Sequence, residues 1–114
     1  MNASVATLDA MEHLQDQANQ VAEILQTLAN GRRLFVLCLL QNLGEANVTT
    51  LAACARLSQS ALSQHLAKLR AEGLVTFRRE GQTLWYRIAD PRVEELMATL
   101  HRLFCPAATP ADPD

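Results

Sequence analysis

The chain has few aromatic residues and no apolar run that approaches the roughly 20 residues of a membrane-spanning helix. Aromatic side chains make up only 4% of the sequence, and the abundance of leucine and alanine predicts more helix than strand. The N-terminus lacks the basic region that opens a signal peptide, so we expect a cytoplasmic protein without a membrane segment. With 114 residues, the chain is long enough for one packed domain and too short for two.

Cysteine is also scarce, and its spacing argues against the simplest metal sites. None of the three cysteines, Cys38, Cys54 and Cys105, forms a CxxC pair, so a zinc knuckle is not expected. In a cytoplasmic chain they do not indicate a disulfide scaffold either, so each is a small packing residue or a reactive thiol. We interpret Cys54 as a packing residue.

The residue patterns of an enzyme are absent as well. The sequence has no paired carboxylates in a cleft-like context, no phosphate-binding loop and no supported Ser/His/Asp arrangement. We therefore expect no enzymatic activity, no catalytic residues and no cofactor, which leaves the binding functions.

Apolar periodicity predicts a mainly α chain with one small β-hairpin, in the order ααααββα. In the first helix, apolar residues recur at three- and four-residue steps from Leu8 to Leu28. A second helix over residues 32–43 is apolar nearly all round and is predicted to be the central core element. The remaining predicted elements are a short helix near residues 49–56, a helix over about 58–72, strands over 74–79 and 83–88, and a last helix between Pro91 and Pro106. We expect one domain over residues 1–106 and a disordered tail over residues 107–114.

Acidic and basic residues are segregated along the chain. The net charge is −2, but residues 56–87 carry six basic and two acidic residues, a net of +4. Residues 1–30, by contrast, contain four acidic residues and no basic one. The positive charge therefore lies on the segment with the fourth helix and the hairpin, as expected of a nucleic-acid interface.

The fourth helix carries short polar side chains away from its apolar stripe. Ser60, Ser63 and Gln64 occupy this position, and their hydroxyl and amide groups both donate and accept hydrogen bonds, which suits base edges and phosphates. An ordinary solvated helix face usually carries Glu and Lys, whereas no acidic residue occurs between Arg56 and Glu72. The pattern favours a helix that enters the DNA major groove.

The charged residues around this helix each allow two interpretations. Arg78 and Arg79, before the hairpin turn, either reach a minor groove or its phosphates, or only add charge to an edge strand. Lys68 and Arg70 suit phosphate contacts or plain surface charge. His65 lies between the polar and apolar faces, where contact with DNA or solvent is favoured over a metal role.

Residues 58–88, SQSALSQHLAKLRAEGLVTFRREGQTLWYRI, resemble the helix-turn-helix and wing of the ArsR family of bacterial winged-helix repressors. The similarity extends over about residues 18–105. It implies a winged helix-turn-helix fold and a homodimer, joined through its first and last helices, on double-stranded DNA with a palindromic operator. It also implies which residues face DNA: Ser58, Gln59, Ser60, Ser63, Gln64 and His65 in the helix, and Arg78, Arg79 and Gln82 in the wing, with Lys68 as a candidate phosphate contact.

The metal sites of that family are incomplete in this sequence. One such site uses a CxC arrangement at the start of the third helix, where this chain has Asn47, Val48 and Thr49. Another uses an Asp-x-His pair early in the last helix, where Asp90 is followed two residues later by Arg92. Because zinc normally needs three or four ligands, we expect no metal site.

Two of the cysteines suggest a different signal to which the protein could respond. Cys38 and Cys105, in the second and last helices, are similar in position to the cysteine pair of the BigR, SqrR and HlyU-like branch of the family. The resemblance implies that the pair reacts with persulfides, polysulfides or oxidants and forms a bridge that weakens DNA binding. Such a bridge would shift the spacing of the two recognition helices in a dimer. From the residues alone, inert packing of Cys38 stays the alternative.

The leading hypothesis is a dimeric transcription repressor whose DNA affinity falls when these thiols are oxidised or bridged. Three alternatives stay open. A metal or haem sensor would use the cysteines, His13, His65 or His101. A HlyU-like regulator would activate virulence genes by displacing a silencing protein, and a protein-interaction module would have a degenerate helix-turn-helix without salt-dependent DNA binding.

Overall fold

The structure, a computed structural model, describes residues 4–104, with side chains from residue 6 onwards. In chain order its elements are α1 (Ser4–Leu28), α2 (Gly31–Leu43), β1 (Ala46–Asn47), α3 (Val48–Ala55), α4 (Gln59–Ala71), β2 (Val75–Glu80), β3 (Thr83–Ile88) and α5 (Pro91–Phe104). This confirms the predicted order of a winged helix-turn-helix, with β1 as an additional short strand. The predicted helix end at Pro106 and the tail over residues 107–114 lie outside the described residues.

Side-chain caps set the start of three helices. The Asn30 side chain accepts hydrogen bonds of 3.1 and 3.0 Å from two N–H groups in the first turn of α2. Gly31 is therefore the first residue of α2, one residue before the predicted start of this helix. Asn47 caps α3 and Ser58 caps α4 in the same way, over 2.8 and 3.0 Å. Between α3 and α4, Arg56 takes a left-handed φ of 58°, and this turn directs α4 across α3.

The three strands form one antiparallel sheet in the order β1-β3-β2. The hairpin of β2 and β3, the wing, pairs Arg78 with Trp85 and closes through a two-residue loop between Glu80 and Thr83. Such a loop needs a residue with positive φ, and Gly81 supplies it at 65°. The sequence did not reveal β1, because two residues carry no recognisable alternation.

Helix α2 lies at the centre of the core, as predicted. It contacts α1, α3, α4, α5 and β3, and Val36, Leu37 and Leu40 are buried. The predicted stripe of α4 is also confirmed, since its three leucines, Leu62, Leu66 and Leu69, are buried. Helix α4 therefore packs against the core through its leucines, and its other side is exposed.

The terminal helices present apolar side chains to solvent. Along α1, five large apolar residues are exposed, namely Leu8, Met11, Leu14, Val21 and Leu25. At the end of α5, Leu103 and Phe104 are 62% and 76% exposed. Single-chain packing therefore covers only part of each amphipathic helix. Among the helices of residues 4–104, none combines the length and the apolar composition needed to cross a membrane.

Candidate nucleic-acid interface

The outer surface of α4 carries the polar side chains that the sequence singled out. Ser60, Ser63 and Gln64 are exposed, on the side away from the buried leucines. Ser58 and Gln59 are exposed at the start of the helix, where the Ser58 hydroxyl accepts a hydrogen bond as the N-cap. Exposed hydroxyls and amides on one helix face can both donate to phosphates and read base edges.

One flank of α4 faces α3 and the wing. The Arg70 guanidinium carbon lies 4.3 Å from the centre of the Phe77 ring on β2, a cation–π distance. Near the start of the helix, Gln59 Nε2 lies 3.5 Å from the hydroxyl oxygen of Thr49 on α3. The Arg70 contact holds the wing, and the Gln59 contact holds α3, beside the exposed polar surface. Arg70 therefore has a structural contact in addition to its surface charge.

The other flank of α4 faces the junction of α1 and α2. Lys68 forms an ion pair of 3.1 Å with Glu72, one turn further along. His65 is half-buried, and this burial lowers the pKa of its imidazole, with a further decrease from the positive charges of Arg33 and Arg32. His65 therefore favours the neutral form on the side of α2, and its contact with DNA stays a prediction.

A cleft of about 390 Å³ separates the start of α4 from the wing. Three of the predicted DNA-facing residues, Gln59, Ser63 and Gln82, line it together. Its walls also include Asn47, Val48, Thr49, Thr83 and Leu84. The fold thus brings polar side chains from α3, α4 and the hairpin turn to one groove, a suitable surface for a DNA backbone.

The two arginines of β2, Arg78 and Arg79, differ in their surroundings. Arg78 holds Glu45 in a two-pronged ion pair, with Nε–Oε2 and Nη2–Oε1 distances of 2.8 and 3.0 Å, and a third contact of 3.4 Å reaches Glu80. This contact lowers the pKa of Glu45 and raises that of Arg78. Arg79 is exposed on the other face of β2 from Arg78, and its partner in the β2–β3 register is Leu84. It makes no ion pair within residues 4–104. Of the two arginines of β2, Arg79 is therefore the one whose charge is not compensated by an ion pair.

Away from this surface, Cys38 lines an apolar cavity of about 280 Å³ between α2 and α5. The other walls are Leu34, Leu100, His101 and Phe104, and Cys38 itself is half-buried. Phe104 is the last described residue, so Cys105 lies outside the described residues and the cysteine pair stays a prediction.

The interpretation of Cys54 as a packing residue is wrong. The structure places this cysteine on α3 with an exposed side chain. The buried residues of α3 are Leu51 and Ala52, and Cys54 lies outside this buried face.

Comparisons with known proteins agree with this geometry. Residues 30–76 match the sequence profile described as bacterial regulatory protein, arsR family. The chain is 41% identical over 97 residues to the transcriptional activator HlyU of Vibrio cholerae, covering 85% of this chain and 89% of HlyU. It is 38% identical over 92 residues to the biofilm growth-associated repressor of Agrobacterium fabrum, covering 81% and 78%. The chain belongs to the ArsR family.

Solved structures of other ArsR-like proteins share the fold. Reduced HlyU from Vibrio cholerae matches with a TM-score of 0.78, at 41% identity, over 82% of this chain and 98% of that one. The homodimeric winged helix-turn-helix domain of Mb0332 from Mycobacterium bovis matches with a TM-score of 0.69, at 38% identity, over 78% and 82%. This ArsR-family chain is therefore a winged-helix DNA-binding transcriptional regulator.

The positions of the family's metal sites have other roles in this ArsR member. Asp90 accepts a 2.9 Å hydrogen bond from the N–H of Arg92 and forms a 2.7 Å ion pair with its guanidinium, which lowers the pKa of Asp90. Asn47, at the start of the third helix, is an N-cap. Within residues 4–104, no cluster of three or more His, Cys, Asp or Glu side chains could hold a metal ion.

Sequence reasoning missed the partners of the interface residues. Glu45 and Thr27 contact Arg78 and Glu72 across 33 and 45 positions of sequence, respectively. Thr49 and Thr83 join the cleft only because α3 and the wing meet there. Thr27 was the one residue whose contact the sequence could have indicated, since a β-branched polar residue interrupts the apolar end of α1 and is buried there.

Proposed function

We propose that this ArsR-family regulator binds a palindromic operator as a homodimer, represses transcription, and loses DNA affinity when Cys38 and Cys105 are oxidised or bridged. Binding through α4 and the wing rests on one observation. The exposed Ser60, Ser63 and Gln64 adjoin a polar cleft whose other wall is the wing, in the most basic segment of the chain. Short polar side chains allow the helix axis to approach the bases closely.

The homodimer rests on the exposed apolar residues of α1 and α5. Leu8, Met11 and Leu14 are 63%, 55% and 58% exposed, and Phe104 is 76% exposed. Burying a large apolar side chain stabilises an assembly by about 1.5–3 kcal/mol. A second copy would cover both helices, in line with the homodimeric Mb0332 domain.

The sensing step is proposed for the cavity at Cys38. Phe104 lines this cavity together with Cys38, and Cys105 follows Phe104 in the sequence, which supports the proposal that the two thiols react with one another. A thiolate of the pair attacks a sulfane sulfur of a polysulfide and expels a shorter polysulfide anion. The second thiolate then attacks the resulting persulfide at its inner sulfur and expels hydrosulfide, which leaves a disulfide between the helices.

Mobility shifts test this proposal on a duplex recovered by in vitro selection from a randomised DNA library. Polysulfide should weaken binding by the wild type, and dithiothreitol should restore it. Cys38→Ser should bind DNA equally well but no longer respond. Cys54→Ser is the matched control, because Cys54 is exposed and does not line the cavity, and this variant should respond like the wild type. A response retained by Cys38→Ser would overturn the sensing step and leave DNA binding intact.

The relative named HlyU is a transcriptional activator, and this favours activation as a second candidate output. Both outputs use the same DNA-binding surface, so they differ in the sign of the effect on transcription. A reporter gene behind the selected duplex should lose expression when the regulator is supplied, and a gain of expression would favour activation.

A further inference from the structure

We propose that the hydrogen bond between Thr27 and Glu72 is a positioning contact that sets the angle between α4, the proposed recognition helix, and α1. This angle thereby selects the spacing between DNA half-sites. The contact joins the last turn of α1 to the C-terminal cap of α4. The inference rests on the proposed homodimer, because half-site spacing has meaning only for two recognition helices held at a fixed separation.

Thr27 is unusual in its surroundings. Among residues 6–104, it is the one buried polar side chain, with 4% of its surface exposed. Its hydroxyl donates to Glu72 Oε1, and the other carboxylate oxygen of Glu72 pairs with Lys68. The backbone carbonyl of Thr27 accepts a 2.8 Å hydrogen bond from Arg33 Nε on α2. Residues from α1, α2 and α4 are therefore tied together at one point.

The neighbourhood of this contact is open. A cleft of about 730 Å³ lies beside it, lined by Glu23, Ile24, Gln26, Thr27, Arg33, Lys68 and Glu72. Most of these walls are polar, so interlocking apolar side chains do not fill the gap between α1 and α4. The hydrogen bonds of Thr27 therefore determine the orientation of α1 relative to α4, which close packing would otherwise determine.

The length of α1 amplifies any change at this point. The helix has 25 residues, which corresponds to about 37 Å, and only its last turns, with Ile24 and Leu28, join the core cluster. A rotation of about 10° at the contact would move its far end by about 6 Å. In a dimer held together by α1, a shift of this size changes the separation of the two recognition helices by more than the 3.4 Å rise of one base pair.

The test is selection of DNA by the full-length protein from a randomised duplex library, with wild type and variants in parallel. The readout is the distribution of spacings between the inverted half-sites. Wild type should enrich one spacing. Thr27→Val keeps the size of the side chain but removes the hydroxyl, and should enrich several spacings with the half-site sequence unchanged. Its affinity for the wild-type spacing should fall about tenfold, as for loss of one hydrogen bond to a charged acceptor.

Two further variants separate positioning from general stability. Thr27→Ser retains the hydroxyl and should restore the single spacing. Arg92→Ala breaks the ion pair between Arg92, in the first turn of α5, and Asp90, which precedes that helix, and should leave the spacing unchanged. If Thr27→Val does not fold by circular dichroism, Glu72→Ala replaces it, because Glu72 lies at the surface.

The outcomes are distinct. Enrichment of one unchanged spacing by both Thr27→Val and Glu72→Ala, or a uniform loss of affinity for every spacing, would overturn the positioning role alone. Failure of the wild type to enrich any inverted repeat would overturn the proposed homodimeric DNA binding, and the positioning role with it.

Discussion

Replacement of Arg79 by alanine should weaken DNA binding in a salt-dependent manner, whereas removal of Arg78 together with Glu45 should not. Both arginines are exposed on β2. The guanidinium of Arg78 is already compensated by Glu45 at 2.8 and 3.0 Å, so the pair is electrically neutral. Arg79 has no such partner within residues 4–104. Of these two arginines, Arg79 is therefore the one whose charge is available to displace counterions from DNA.

The size of the effect follows from counterion release. A plot of log K against log salt has a slope of about −0.9 per neutralised phosphate, so two copies of Arg79 contribute about −1.8 in a dimer. Their loss corresponds to roughly 200-fold weaker binding at 50 mM salt and roughly 20-fold at 200 mM. Fluorescence anisotropy of a labelled selected duplex, titrated at four or five salt concentrations, measures this slope directly.

The matched variant removes the neutral pair. Arg78→Ala combined with Glu45→Ala deletes one positive and one negative charge, so the salt slope should equal that of the wild type. The double replacement is needed because Arg78→Ala alone leaves the carboxylate of Glu45 unpaired beside DNA. The reasoning would be refuted if the double variant lost as much slope as Arg79→Ala, since Arg78 must then leave Glu45 and neutralise a phosphate in the complex.

Three other predictions test separate parts of the structure. Leu14→Asp should raise the dissociation constant of the dimer roughly 100-fold or more, because two apolar side chains lose about 3 kcal/mol of burial; a sedimentation profile identical to wild type would contradict this. The fluorescence of Trp85, the only tryptophan, should change on DNA binding, because its ring lies in the wing beside Arg78. In Arg79→Ala at high salt, addition of DNA should leave this fluorescence constant. The hydrogen bond from Thr27 lowers the pKa of Glu72 below its ordinary 4.5. The stabilisation of the fold by this bond is therefore present above about pH 4.5 and is lost as the pH falls through the lowered pKa. The difference in unfolding free energy between wild type and Thr27→Val should accordingly be constant near neutral pH and shrink in acid, and a difference that grew in acid would contradict the assignment.

The sequence predicted the DNA-binding elements well because their information is local. The leucines of α4 recur at helical spacing, Gly73 follows its end, and strand-like runs flank the turn at Gly81. Each of these features acts within a few residues of the position that it determines. The helix, the hairpin and their order could therefore be derived without knowledge of the packed core.

The contacts that orient those elements were not predictable in the same way. The partner of Arg78 is 33 positions away in the sequence, and nothing in the local pattern separates Arg78 from Arg79. The two faces of β2 become different only when β1 and the end of α2 place Glu45 beside one of them. The exposure of Cys54 was unpredictable for the same reason, because α3 is short and tertiary contacts determine which of its faces is buried.

Helix α2 connects the proposed sensor to the proposed positioning contact. Arg33, in its first turn, donates to the carbonyl of Thr27, and Cys38 follows five residues later on the same helix, about 7.5 Å along its axis. A bridge at Cys38 would pull α2 towards α5, and a rigid helix would transmit that displacement to Arg33. The displacement of Arg33 would move Thr27, and the hydrogen bond between Thr27 and Glu72 would then change the angle of α4 relative to α1. On this reasoning Thr27→Val, in which α4 is already released from α1, should bind DNA with an affinity that polysulfide lowers less than it does in the wild type.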